Sequence, residues 1–197
     1  MRSQCPAWEA ARAGGGKMWV ACSASYFPDM GDILDYPVVS GTLLPSLARQ
    51  VHARGYKILS YGNPHAGVER PEVYRRTYGL ALRVAGYDGA IDYEYRTMDD
   101  KAAWDDFDHP HYRDHNFAYP AVGKPVDTIR FAGWREAVDD LRYAATLEWA
   151  IWQYRQARRE VPQVEESATW LRRLTGKEEP DGVRAEMIRR IDALMGP

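Results

Sequence analysis

The chain has 197 residues, 45% hydrophobic and 27% charged, with a net charge of -2; that composition suits one globular domain with a real core and excludes a disordered chain, and the interspersed charges exclude nucleic acid and anionic lipid as partners. Cys5 and Cys22 are the only cysteines and stand in no ligand or redox spacing, which excludes a disulfide framework and a thiolate metal centre. No stretch is long enough to cross a bilayer and the amino-terminal residues contain no apolar signal core, so the chain reads as soluble and, at face value, cytoplasmic, with export left to a signal in any longer precursor.

Pro6 to Ala13 reads as the tail of a helix stopped by Gly14-Gly15-Gly16, which implies preceding chain. Met18 to Ala24 and Ile33 to Val39 are strand-like runs with a short connection near Pro28 to Asp32. Pro45 to Arg54 is a helix with Leu44, Leu47, Ala48 and Val51 on one face and Gly55 as its stop. Lys57 to Gly62 is a third strand ending in Gly-Asn-Pro. Pro71 opens a helix with Tyr74, Tyr78, Ala81, Leu82 and Ala85 at helical spacing, closed by Gly86, and Asp88-Gly89 turns into a fourth strand, Ala90 to Tyr95. A single helix between two strands dictates a parallel, right-handed crossover. The four strands are therefore expected to form one parallel sheet.

From Thr97 to Pro125 periodicity stops in a segment dense in Asp, His, Pro and aromatics, a long loop over the last strand's carboxyl end. Thr128 to Glu160 returns to helix, with Trp134, Val138, Leu141, Ala145, Trp149 and Trp152 as one apolar stripe expected to be core. Gln163 to Thr175 and Asp181 to Met195 complete a helical tail. The expected division is 1-127, sheet and helices with the long loop at 97-127, and 128-197, helices packed on it. Active sites of parallel α/β proteins lie at the carboxyl ends of the strands. Those ends carry Tyr61, Gly62, Asn63, Asp92, Tyr93, Glu94 and Tyr95, a polar and aromatic set suited to a hydroxyl-rich ligand.

Gly62-Asn63-Pro64 with Gly67, Glu69, Pro71 and Arg75, then Gly86-Tyr87-Asp88-Gly89-Ala90, Trp104-Asp105-Asp106-Phe107-Asp108 and Tyr112-Arg113-Asp114-His115 form an ordered series. Asp127-Thr128-Ile129-Arg130 and Trp134-Arg135-Glu136-Ala137-Val138-Asp139-Asp140-Leu141-Arg142-Tyr143 continue it. In this series the chain resembles, from about Met18 to Tyr143, the C-terminal part of glycoside hydrolase family 123 and family-123-like proteins. The resemblance implies the fold class α/β, a partial (β/α)8 TIM barrel whose four strands would be five to eight, followed by a helical tail. A barrel needs about 200 residues to close, so this would be the C-terminal half. The family's catalytic pair is an adjacent Asp-Glu; this sequence contains no Asp-Glu dipeptide, and no catalytic residue is carried over.

The substrate-binding candidates are Tyr61, Asn63, Asp92, Tyr93, Glu94 and Trp104. Asp92 and Glu94, two apart on one strand, share a face and with Ala90 would point into the barrel, either toward a sugar or as rim residues paired with Arg96 or Arg75. They lie too close together to flank a glycosidic bond from opposite sides. Tyr61, Tyr93, Tyr95 and Trp104 can stack on a pyranose or fill a core, and Asn63 can bind ligand or serve a turn. His109, His111 and His115 with neighbouring aspartates show metal-like spacings, but a loop carrying Pro110 reads as solvated, and no metal or cofactor is assigned. Arg130, Arg135 and Glu136 are expected to form an ion-pair network fixing the long helix to the loop. The function expected is a carbohydrate-active domain acting on a glycoside, the N-acetyl-hexosamines first, in which this chain shapes the pocket. The alternative is a non-catalytic carbohydrate-binding or assembly subunit that self-associates or pairs with a missing N-terminal half, its open sheet edges driving association.

Overall fold

The computed structural model describes residues 5–30, 33–61, 70–92, 95–96, 104–105, 116–159 and 161–196. It is a mixed α/β protein with a four-stranded parallel sheet and a helical C-terminal region. The chain divides into two compact units, 1–64 with 85–93, and 65–84 with 94–197.

The first unit holds α1 (Cys5–Ala13), β1 (Trp19–Ser23), the one-turn α2 (Phe27–Met30), β2 (Tyr36–Ser40), α3 (Pro45–His52), β3 (Leu59–Tyr61) and β4 (Gly89–Ala90). The strands pair in parallel in the order β1-β2-β3-β4. All four expected strands are present and parallel; the second starts later than Ile33, and the ladder of the fourth is limited to Gly89–Ala90. The sheet is buried at its centre, where Val38, Val39 and Ile58 are nearly inaccessible, and α3 adds Leu47, Ala48 and Val51 to the core.

Two carboxylates fasten the amino ends of the strands. Asp35, just before β2, accepts the Met18 amide at 2.7 Å and faces Arg12 at 3.3 Å and Lys17 at 3.8 Å. Burial alone would raise its pKa; the Met18 amide and the Arg12 guanidinium outweigh that and hold the Asp35 carboxyl below the usual carboxylate range. Asp88, just before β4, accepts the Ile58 amide at 2.8 Å, lies 2.9 Å from His52 Nε2, and donates its own amide to Ile58 O at 2.9 Å. These bonds supply partners for strand-entry amides that the ladder leaves open.

The second unit is built on α4 (Pro71–Tyr78), α5 (Leu80–Val84), a hairpin of β5 (Ala118–Tyr119) and β6 (Val126–Asp127), and the helices α6 (Ile129–Gln156), α7 (Pro162–Arg173) and α8 (Pro180–Met195). Gly79 follows the helix begun at Pro71, and the packing there admits only glycine: a Cβ would press on the Arg75 carbonyl and sit 3.3 Å from the Ala137 backbone of α6. Gly133 on α6 has no room for a Cβ against Pro71 either. Close helix contact therefore selects small residues, and the buried face of α6 is Arg130, Gly133, Ala137, Asp140, Ala144, Leu147, Ala150 and Ile151. This corrects the expected stripe: Trp134 is half-buried, while Trp149 and Trp152 are 50% and 52% exposed. Leu80, Leu147, Val164, Leu171, Val183 and Met187 form the core among α5, α6, α7 and α8. Among the described residues no helix is long and apolar enough to cross a membrane.

Asp140 is fully buried and carries the polar centre of this unit. Arg75 grips both its oxygens, Nε to Oδ2 at 2.8 Å and Nη2 to Oδ1 at 3.1 Å, while Arg184 Nε reaches Oδ1 at 2.7 Å. Arg75 continues to Asp181 at 2.6 Å, and Arg184 to the Glu136 carboxylate at 2.6 Å. The hydrogen bond to Asp140 is the main reason the Arg75 pKa rises above its ordinary value.

Two expectations follow. Removing the charge of Asp140 takes away the one buried anion that Arg75 and Arg184 share and leaves them only the more exposed Asp181 and Glu136, so Asp140→Asn lowers the unfolding free energy in urea by about 3 kcal/mol, whereas Arg142→Ala, which breaks only an exposed pair with Asp139, costs at most about 0.5 kcal/mol; equal losses would reject the clamp. Because the Asp35 carboxyl is depressed in the fold, its contribution is complete above the unfolded value of about 3.9 and is lost as pH falls through the lower folded value. Asp35→Asn should therefore flatten the fall of Tm with pH below about 4, and an unchanged slope would contradict the assignment.

Candidate functional site

The carboxyl ends of the strands in the first unit gather one group of polar side chains. β1, β2 and β3 finish in register on Ser23, Ser40 and Tyr61, and residues in register share a face of a sheet. All three are half-buried. Ile91 donates its amide to Ser60 O at 2.8 Å, which carries the half-buried Asp92 past the end of β4 beside the end of β3. Ser23 Oγ accepts from the Ser25 amide at 3.4 Å and so caps the helical turn that follows β1. Ser40 Oγ donates to the Cys22 carbonyl at 3.5 Å. Cys22 is a free, half-buried thiol whose pKa is pushed up by burial, the opposite of what an activated thiolate requires. The row thus offers hydroxyls, an aromatic ring and one carboxylate, which can hold a polyol. Asp35 and Asp88 are committed at the opposite strand ends, so the described part of the row provides no acid and base pair.

A second group lies in the second unit. Tyr95, Arg96 and the β5–β6 hairpin enclose a groove of about 380 Å3, lined also by Tyr119 and Lys124. Trp104 stacks on Tyr119, with ring centroids 4.7 Å apart and planes 13° from parallel. Tyr95 lies over Phe117 at 6.4 Å, and the Phe117 amide donates to Tyr95 O at 2.9 Å. The platform is anchored from below. Arg130, 1% exposed, sits between the rings of Tyr74 at 4.8 Å and Phe117 at 4.3 Å. Thr128 caps α6 by accepting the Phe131 amide at 3.3 Å, and its hydroxyl lies 3.0 Å from Asn116 O.

No protein-family model, curated protein or solved structure matches this chain.

Of the six sequence-predicted binding residues, Tyr61 and Asp92 come to neighbouring strand ends of the first unit, and Trp104 belongs to the second, with Tyr119 as its partner. Asn63, Tyr93 and Glu94 lie outside the described residues, as do His109, His111 and His115. Among the described residues no cluster of metal-ligating side chains is present. Arg75, expected as a possible partner for Asp92 and Glu94, is engaged by Asp140 and Asp181. Of the three residues expected in an ion-pair network at the start of the long helix, Arg135 faces Asp127 at 4.0 Å, Glu136 pairs with Arg184, and Arg130 lies buried between aromatic rings. Sequence reasoning missed Ser23 and Ser40, although each is a small polar residue closing a strand-like run. It also missed Tyr119 and Lys124, because strands of two residues carry no legible alternation.

Ser60, in register with Val39 and Ala90, is 1% exposed, and its hydroxyl has no hydrogen-bond partner among the described residues. A buried hydroxyl without a partner costs stability, so Ser60→Ala should raise the unfolding free energy by about 1 kcal/mol. A loss of that size in chemical denaturation would show that the hydroxyl is engaged.

Proposed function

We propose that this chain is a carbohydrate-active, glycoside-hydrolase-like domain that supplies the sugar-binding, C-terminal half of a (β/α)8 barrel resembling family 123, with an N-acetyl-hexosamine as the sugar. The observation that carries this reading is the winding of the sheet: four parallel strands stand in sequence order without reversal. Singly wound order is the arrangement of barrels, whereas doubly wound sheets reverse at a switch point where their ligand binds. The division of labour along the strands supports the same reading. Carboxylates fasten the amino ends through Asp35 and Asp88, and the carboxyl ends carry Ser23, Ser40, Tyr61 and Asp92, as barrels keep stability at one face and ligand chemistry at the other.

In this role Tyr61 offers a ring to the apolar face of a pyranose and Asp92 accepts hydrogen bonds from its hydroxyl or amide groups. The Asp-Glu pair that handles the proton in the related enzymes is not part of this sequence, so the chain binds sugar without cleaving it. A second reading, a subunit that completes its sheet with another chain, is favoured by the edge strand β1, where Trp19 is 54% exposed and Ala21 is exposed.

Calorimetric titration with N-acetylgalactosamine and N-acetylglucosamine tests the proposal. Binding is expected in the millimolar range, with no turnover of the corresponding nitrophenyl glycosides. Loss of a hydrogen bond to a charged group costs about 1.5–3 kcal/mol, so Asp92→Asn should weaken the preferred sugar roughly tenfold or more. Absence of heat with either sugar would reject the sugar-binding reading; turnover would reject the assignment of this chain as non-cleaving.

A further inference from the structure

We infer that the C-terminal half of α6 is a docking face for a second copy of this chain, the two helices meeting antiparallel over Ala145. The apolar stripe of Trp134, Val138, Leu141, Ala145, Trp149 and Trp152 lies on a different face from the strip that α6 buries. Its head is covered from within the unit: Trp134 meets Tyr78 at 4.0 Å and Phe117 at 5.5 Å. Its tail is open. Ala145 is exposed, Trp149 and Trp152 are 50% and 52% exposed, and Val138 and Leu141 are half-buried. Two indoles three positions apart on a helix are neighbours and form one apolar patch. Tryptophan is also the residue that most often anchors an interface.

The spacing of the stripe selects the occupant. Val138 and Leu141 precede Ala145 by seven and four positions, and Trp149 and Trp152 follow it by four and seven. A two-fold contact brings the same patch of both copies together, so helices running antiparallel through Ala145 set Trp149 of each copy opposite Leu141 of the other, and Trp152 opposite Val138. Each large ring then meets a smaller side chain, and alanine meets alanine at the centre, where the helices approach most closely. A parallel pair would instead crowd four indoles at one end. The rim does not oppose the contact, because Arg142 pairs with Asp139, Glu148 with Arg83 and Arg155 with Glu165 inside each chain. At half exposure each indole offers roughly 100 Å2, and with the aliphatic neighbours the two copies together bury about 1,000 Å2, the lower bound of a specific interface. The dimer is therefore weak and concentration-dependent. It uses none of the residues of the β1 edge and does not depend on the sugar reading.

Sedimentation velocity on the full chain over a wide concentration range tests this. The chain should pass from monomer to dimer with a Kd of roughly 10–100 μM. Trp149→Ala and Trp152→Ala, both at exposed positions, should each weaken the dimer by roughly tenfold or more and leave the thermal unfolding transition of the dilute chain unchanged. With Cys5 and Cys22 both replaced by serine, Ala145→Cys should cross-link to its own copy under mild oxidation. Gln153→Cys, whose two copies would stand about 24 Å apart in the antiparallel pair, should not. A chain that stays monomeric at a concentration about tenfold above that Kd range, a dimer equally tight in both tryptophan variants, or cross-linking from Gln153→Cys overturns the proposal. So does a dimer lost with Trp19→Lys and kept in the tryptophan variants, which would place the contact on the β1 edge.

Discussion

A single carboxylate without access to water organises the helical part of this protein. Asp140 is 0% exposed, and a charge in that position is tolerated only with partners on both oxygens. Arg75 and Arg184 provide them, from α4 and α8, while Asp140 stands on α6. Three helices distant in sequence are thereby held in one register. The surrounding small residues follow from the same demand: the short reach of a guanidinium to a helix-borne aspartate brings α4 against α6, and Gly79, Gly133 and Ala137 are what that approach admits. Asp181 and Glu136 then each take a second contact from one of the two guanidinium groups at the edge of the cluster.

The first unit uses carboxylates in a related way but at the ends of strands. Asp35 and Asp88 each accept a backbone amide from just before a neighbouring strand. Both lie at the amino ends of the sheet, opposite the ends that carry Ser23, Ser40 and Tyr61. Ser23, Ser40 and Tyr61 align there because the parallel register brings the last residue of each strand level with the next. That separation of fastening from presentation underlies the proposed sugar role.

The aromatic groove shows how a buried cation can serve a surface. Arg130 lies between Tyr74 and Phe117, and Phe117 also meets Phe131 and Trp134 edge-on at 5.5 Å. Cation–π and edge-to-face contacts of this kind are directional as well as attractive. They set the hairpin and the ring of Tyr95 at a fixed height above α6, with Thr128 closing the helix end beneath.

The four strands, the turn at Asp88-Gly89, α3 with its Gly55 stop and the long C-terminal helices were legible in the sequence, because apolar periodicity and glycine stops are local properties. The parallel sense followed from connection length alone. The buried face of α6 was not legible: counting apolar residues selects the tryptophans, whereas the close approach of α4 and the need of two arginines for Asp140 select a strip of glycine, alanine and aspartate. Nor could the sequence show that Arg75 belongs to Asp140 and Asp181, since partners 65 and 106 positions apart leave no local signal. By itself the sequence determined which segments are strands and helices and which residue types stand at the strand ends. Tertiary structure alone decided which charges meet, which aromatic rings remain open and which face of the longest helix is buried, because those depend on distances between segments that only packing brings together.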